Sequence, residues 1–204
     1  MHLFDQGILG IAILVLLGML VTVKQVATGS ILDKPKGNLI VQLVNIFNLF
    51  FLLIVNPLAA ILLIARRLAT IDPTHLTIDE PSVLMVLEIV GLMLYVIGVL
   101  LMAWALITLG RNYQLGGSAP RFEDKMVVGG PYRLVRHPMY TAALTISFGL
   151  TCLIQSWAFL CVFCVYLVLI LLLIPMEEDG LRKSYGEQYC TYWQKTRKLI
   201  PFVY

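Results

Sequence analysis

Charge is what this sequence has least of. Asp, Glu, Lys and Arg make up 13% of its 204 residues, while 59% are hydrophobic and the mean hydropathy is +0.87. Soluble domains carry about a quarter charged residues, so an ordinary soluble domain is excluded. The chain also lacks a Gly-x-Gly-x-x-Gly after a strand-like run and any strand–helix alternation, which excludes a Rossmann dinucleotide fold. No basic run with interleaved aromatics is present, so no nucleic-acid partner is expected. The four cysteines, Cys152, Cys161, Cys164 and Cys190, do not make a disulfide framework in a chain this long. Cys161 and Cys164 sit in an apolar stretch without histidines; they read as packing residues, and no metal is expected.

Long apolar runs take the place of charge. A hydrocarbon core about 30 Å thick needs roughly 17 to 25 apolar residues to cross it, and candidates lie at Gly7–Val23, Leu39–Ala65, Val83–Leu109, Pro138–Leu153 and Ser156–Pro175. The pattern predicts an all-α, multi-pass integral membrane protein of about five transmembrane helices, three of them in residues 1–109. Residues 110–204 then form a loop, a helical hairpin and an amphipathic C-terminal helix. Only His2 and Asp5 carry polar ionisable groups ahead of the first run, and no small-x-small site precedes Lys24, so that run is expected to stay as a span rather than act as a cleaved signal. Ile154 and Gln155 alone separate the last two runs, which implies a tight turn. Of the fifteen Lys and Arg, all but Arg66 and Arg67 fall on one side of this arrangement, which places residues 110–137 and the C-terminus in the cytoplasm.

Polar residues inside the spans are costly in lipid and face protein or water. Gln42, Asn45 and Asn48 recur every third position and Asn56-Pro57 follows; they are expected to make interhelical hydrogen bonds and a kink at Pro57. Glu88, close after Pro81, is expected at the membrane interface. Gly91 and Gly98, seven apart on one helix face, are expected to let a neighbouring helix approach closely.

The chemistry concentrates between Gly130 and Tyr140, which read Gly-Pro-Tyr-Arg-Leu-Val-Arg-His-Pro-Met-Tyr. Gly129-Gly130 would permit close backbone approach to a ligand, and Pro138 suits the first position of a helix, which puts Arg136 and His137 just ahead of a helix N-terminus. Singly, a snorkelling Arg, an interfacial His and belt tyrosines are ordinary at a membrane boundary. Together they can grip a carboxylate and stack on a purine. Beyond the hairpin, Pro175-Met176 is expected to end the last span, and Glu177-Glu178-Asp179 to open an amphipathic helix whose Leu181, Tyr185, Tyr189, Tyr192 and Trp193 form an interfacial stripe. The hairpin would return these acids to the membrane face that carries Arg136 and His137.

The string Arg136-His137-Pro138-Met139-Tyr140, then Glu177-Glu178, then Tyr185-Gly186-Glu187-Gln188-Tyr189 and Pro201-Phe202, with Gly110-Arg111-Asn112-Tyr113 upstream, resembles the isoprenylcysteine carboxyl methyltransferases. Membrane phospholipid methyltransferases and some sterol reductases share the Arg-His-Pro-x-Tyr type of signature. The resemblance covers roughly residues 103–202. It implies a helical methyltransferase with S-adenosyl-L-methionine as donor and S-adenosyl-L-homocysteine as product, acting on the carboxylate of a prenylated cysteine amid membrane lipids. It further implies a cofactor site on the cytoplasmic face made of Met126, Val127, Tyr132, His137, Pro138, Met139, Tyr140 and Glu178. Arg136, Glu177 and Glu178 are then the candidate catalytic residues, with Arg136 either positioning the substrate carboxylate or holding one of the acids. Ile174-Pro175 stands where some relatives carry basic residues, so the ligand for the substrate carboxylate can differ in this chain. The alternatives are methylation of a phospholipid amine, with His137 or Glu88 as base, and a reductase-like or non-catalytic membrane protein.

Overall fold

A computed structural model describes residues 4–30, 39–113 and 125–200. Asp5 caps the first helix, α1 (Gln6–Thr28), by accepting from the backbone N–H groups of Gly7 and Ile8 at 2.8 and 3.2 Å, and Gly29 at φ 79° ends it. The second span is α2 (Leu39–Phe50) followed by a π-helical turn (Phe51–Val55) and α3 (Asn56–Ile64). One turn, α4 (Leu68–Ile71), precedes α5 (Pro81–Leu109), which opens on a proline that lacks the N–H no helix start can use. Two 3₁₀ turns, Gly110–Asn112 and Gly130–Arg133, flank the loop before α6 (Pro138–Ile154), α7 (Trp157–Tyr185) and α8 (Glu187–Lys195).

Among the described residues, four helices are long and apolar enough to cross a membrane: α1, the α2–α3 unit, α5 and α7. The fourth expected span, α6, has 17 residues and is shorter, about 25 Å at 1.5 Å per residue. Its hairpin with α7 forms at Gln155, held at φ 54°. The segment after α4 ties down that turn: Leu76 donates to the Gln155 carbonyl at 2.7 Å and Trp157 to the Thr74 carbonyl at 3.1 Å.

The last span does not end at Pro175-Met176. Helix α7 continues through Pro175 to Tyr185, so Glu177 and Glu178 lie within a helix and do not cap its N-terminus. Proline removes a single backbone donor, and the strong helix formers on both sides keep the remaining ladder. At 29 residues α7 is about 44 Å long, which carries its last turns, acids included, past a 30 Å hydrocarbon core.

Glycines set the closest contacts. A Cβ on Gly91 would lie 2.9 Å from the Gly149 carbonyl oxygen, one on Gly98 2.9 Å from the Ile146 nitrogen, and one on Gly149 2.6 Å from the Tyr95 nitrogen. Helices α5 and α6 therefore meet backbone to backbone, as the seven-residue glycine spacing predicts. The amide side chains bond between helices as well: the Tyr166 hydroxyl donates to Asn48 Oδ1 at 2.5 Å, and Tyr95 to Asn56 Oδ1 at 2.9 Å. Asn56 Nδ2 in turn donates to the Phe51 carbonyl at 2.9 Å, inside the π-helical turn. The expected break at Pro57 is thus a widened turn just ahead of the proline, stabilised by Asn56. Glu88 is buried rather than interfacial, and the Phe4 N–H donates to it at 3.3 Å.

This break divides the bundle. Beyond it α3 packs with α1, which packs with α5, while α2 packs with α7, so two apolar cores form: one around Ile13, Leu63, Tyr95 and Leu150, another around Val44, Tyr166, Ile170 and Leu173.

Candidate functional site

The site grows from the turn that starts α6. Its strand-like lead-in is held by the chain's far end: Arg136 N–H donates to the Arg197 carbonyl at 2.7 Å and His137 N–H to the Lys198 carbonyl at 3.1 Å. These two donors are therefore spent on the chain itself, not on a ligand. Thr141 Oγ1 adds a bond to the Leu199 carbonyl at 2.8 Å.

Side chains lock the same turn. Arg136 Nε donates to Glu178 Oε1 at 2.7 Å, its Nη1 donates to the Trp193 carbonyl at 3.0 Å and also to the Thr196 carbonyl, and its guanidinium lies 5.3 Å from the Trp193 ring centre. His137 Nε2 sits 3.3 Å from the same Glu178 oxygen, so one carboxylate holds both residues. All three are buried. An ion pair with fewer hydrogen bonds would not recover its desolvation in such a setting. The neighbouring acid behaves differently. Glu177 Oε2 accepts from the Tyr140 hydroxyl at 2.5 Å, and Tyr140 stacks on His137 with ring centres 5.5 Å apart.

A cavity of about 390 Å³ joins this cluster to the interior of the bundle. Met126, Val127, Tyr132, Arg136, His137, Pro138, Met139, Tyr140 and Glu177 line its polar end. Leu17, Leu20 and Val21 of α1, Ile46, Leu49 and Leu52 of the second span, and Val99, Met102 and Leu106 of α5 line the rest. That size and mixture suit a small-molecule site. Every candidate cofactor residue except Glu178 reaches the wall; Glu178 stands behind it, bonded to Arg136 and His137.

Two expectations change here. Gly130, at φ 54°, makes a close approach to α5, where a Cβ would lie 2.5 Å from Thr108 Oγ1. The aromatic stripe is not only a membrane anchor: Tyr185, Tyr189 and Tyr192 line the cavity, and Tyr192 donates to the Tyr132 carbonyl at 2.7 Å. Burial pushes the Tyr132, Tyr189 and Tyr192 phenols up from their ordinary value, so all three remain uncharged donors. Their spacing along the C-terminal segment was visible in the sequence, but only the turn at Gly186, φ 54°, folds α8 back over the site. Lys24, also on the wall, carried no motif signal, whereas Tyr113, likewise on the wall, closes the Gly110–Tyr113 string of the resemblance. Among the described residues no three His, Cys, Asp or Glu side chains stand together to hold a metal.

The family model described as phospholipid methyltransferase matches residues 86–188, about half the chain. Protein-S-isoprenylcysteine O-methyltransferase B of Arabidopsis thaliana is 32% identical over 115 residues, 55% of this chain and 58% of that protein. A probable protein-S-isoprenylcysteine O-methyltransferase of Oryza sativa subsp. indica is 32% identical over 117 residues, 56% of this chain and 61% of that protein. The similarity thus spans less than two thirds of these curated relatives. A solved structure of the eukaryotic intramembrane Ras methyltransferase, an isoprenylcysteine carboxyl methyltransferase, superposes with a TM-score of 0.53 over 92% of this chain and 74% of that one at 19% identity, so the two share a fold.

Proposed function

We propose that this chain, which belongs to the phospholipid methyltransferase family, transfers a methyl group from S-adenosyl-L-methionine to the α-carboxylate of a prenylated cysteine at the membrane surface. The observation that carries the reading is the single cavity in which Glu177, Tyr140 and His137 stand at one end and apolar helix faces at the other. A prenylcysteine is built the same way, an ionised head on a hydrocarbon tail, and each buried CH₂ contributes about 0.8 kcal/mol. The names of the curated relatives support the same acceptor.

The residues at the polar end suit the donor. Glu177 offers a carboxylate whose direction is fixed by Tyr140, and the Tyr132, Tyr140 and His137 rings offer faces for a cation and a purine. The bound cofactor would supply an electrophilic sulfonium methyl. A carboxylate needs no base to attack it, and the opposite charges vanish on transfer, so water opposes the reaction and its exclusion helps. Helix α8 and residues 196–200 do this by folding over the Arg136 turn, while Glu178 pins Arg136 and His137 and keeps the wall in place. Methylation of an amine headgroup would need a base. Glu88 is bound to Phe4 at the opposite end of α5, and His137 turns Nε2 toward Glu178, so neither candidate favours that chemistry. The excess of Lys and Arg on one side supports a site that faces the cytoplasm.

The test is transfer of radiolabelled methyl from S-adenosyl-L-methionine by the purified chain to N-acetyl-S-farnesylcysteine and, in parallel, to phosphatidylethanolamine. Base-labile label in the prenylcysteine alone is expected; label in the phospholipid alone would replace the proposal with headgroup methylation.

A further inference from the structure

Among the described residues, four buried side-chain atoms have no hydrogen-bond partner: Asp72 Oδ2, Ser147 Oγ, Gln155 Nε2 and the Tyr189 hydroxyl oxygen. A buried polar group left unmatched opposes folding, so each one calls for a reason. Asp72 and Gln155 belong to the segment after α4 and to the α6–α7 turn, and neither lines the cavity. Ser147 and Tyr189 both do. Ser147 lies seven residues after Tyr140 on α6, about 10 Å along the helix from the polar end. Tyr189, on α8, is 1% exposed and belongs to the polar end itself.

Direct contacts fix its place. Tyr189 and Trp193 share one face of α8 at i, i+4, and the Trp193 ring centre lies 5.3 Å from the Arg136 guanidinium. Tyr192 packs edge-on against Tyr189 with ring centres 6.1 Å apart, and donates its own hydroxyl to the Tyr132 carbonyl at 2.7 Å. Arg136 bonds to the Trp193 and Thr196 carbonyls, so the helix that carries Tyr189 is tied to the turn that starts α6. Neighbouring donors are spent within the chain, Tyr140 on Glu177 and Arg136 Nε on Glu178. Tyr189 thus holds a fixed donor beside the cavity, with no acceptor for it among the described residues. Lys24 and Lys125 also line the cavity and attract anions of any kind, whereas a fixed hydroxyl adds direction.

We infer that the Tyr189 hydroxyl is a ligand-binding donor of this cavity and takes one oxygen of a bound α-carboxylate. The site already contains a bond of this kind, since the Tyr140 hydroxyl donates to the Glu177 carboxylate at 2.5 Å. Both molecules of the proposed reaction bring an α-carboxylate: S-adenosyl-L-methionine at its amino-acid end, and prenylcysteine at its reacting end. In the second case the bond holds one oxygen and leaves the other to attack. The inference rests on the function proposed above, and its test separates the two sources.

Tyr189→Phe removes the hydroxyl and keeps the ring. The full-length protein, unaltered and as Tyr189→Phe, is titrated with S-adenosyl-L-homocysteine and with methylthioadenosine, which lacks the amino-acid end. Saturated with S-adenosyl-L-homocysteine, it is then titrated with N-acetyl-S-farnesylcysteine and with the methyl ester of that acid. The variant is expected to lose about tenfold in affinity for one carboxylate-bearing ligand, as loss of a charge-assisted hydrogen bond requires, with its carboxylate-free counterpart unchanged. Loss for S-adenosyl-L-homocysteine assigns the hydroxyl to the cofactor carboxylate; loss for the farnesylcysteine acid assigns it to the substrate. The midpoint of unfolding without ligands is expected to hold or rise, because an unmatched buried hydroxyl has gone. Unchanged affinity for all four ligands overturns the inference, and so does an equal loss within either pair. A lowered ligand-free midpoint overturns it too, since the hydroxyl would then be serving the chain itself. Absence of methyl transfer to prenylcysteine by the unaltered chain overturns the function proposed above, and the cofactor pair then still decides the inference.

Discussion

Adjacent acids on α7 have separate duties. Glu178 is a buried counter-ion for Arg136 with a second contact to His137, whereas Glu177 reaches the cavity and is oriented by Tyr140. Removing one member of a buried pair strands the other charge, which costs about 3–5 kcal/mol. Glu178→Ala is accordingly expected to lower the midpoint of unfolding in detergent markedly, while Glu177→Gln leaves the midpoint near its original value and weakens S-adenosyl-L-methionine binding about tenfold. Thermal unfolding and cofactor titration of the two variants check this division; equal behaviour of the two would contradict it. Sequence alone pairs these acids with Arg136 and His137 through the order of the motifs. It does not distinguish them, because successive residues on a helix are about 100° apart and only the position of α7 against α6 decides which one faces the cavity.

Helix α5 and helix α6 form the frame on which the site stands, and their separation is set by atoms that glycine omits. Gly149→Ala would place a methyl group 2.6 Å from the Tyr95 nitrogen, a backbone atom that cannot rotate away. The two helices are expected to shift apart at a cost of about 1–3 kcal/mol, and Tyr95 with them, loosening its bond to Asn56 and the π-helical turn behind it. Unfolding in detergent and methyl transfer measured on the same variant should both fall; unchanged stability would mean that the helices do not meet this closely. At this scale the apolar runs, the glycine pair Gly91 and Gly98, and the start of α6 at Pro138 were legible, since each depends on local sequence. The run of α7 through Pro175 was not, because proline weakens a helix without stopping it when the neighbouring turns are held. The widened turn at Phe51–Val55 was equally hidden: Asn56, which bonds to it, is held in turn by the Tyr95 hydroxyl from 39 residues away in the chain.

Across the whole molecule, the consequence of that turn is a cavity with two kinds of wall. Because α2 leans on α7 while α3 leans on α1, the upper part of the second span is free of α1, and Leu17, Leu20 and Val21 face Ile46 and Leu49 across the cavity. Ile46 and Leu49 are themselves 55% and 42% exposed, so this side borders the lipid. Composition shows that the chain lives in a membrane and the motifs indicate where the polar end lies; that the two meet in one chamber depends on long-range packing and is visible only in the fold. The chamber is the centre of the account, and photoaffinity labelling tests it most directly. A farnesylcysteine analogue with a diazirine at the tail terminus, photolysed with the S-adenosyl-L-homocysteine-loaded protein and mapped by mass spectrometry, is predicted to label α1 and the Ile46–Leu52 region, and excess unlabelled farnesylcysteine is predicted to protect both. Label confined to outward-facing positions such as Val165 and Val168 of α7, unaffected by the competitor, would contradict it.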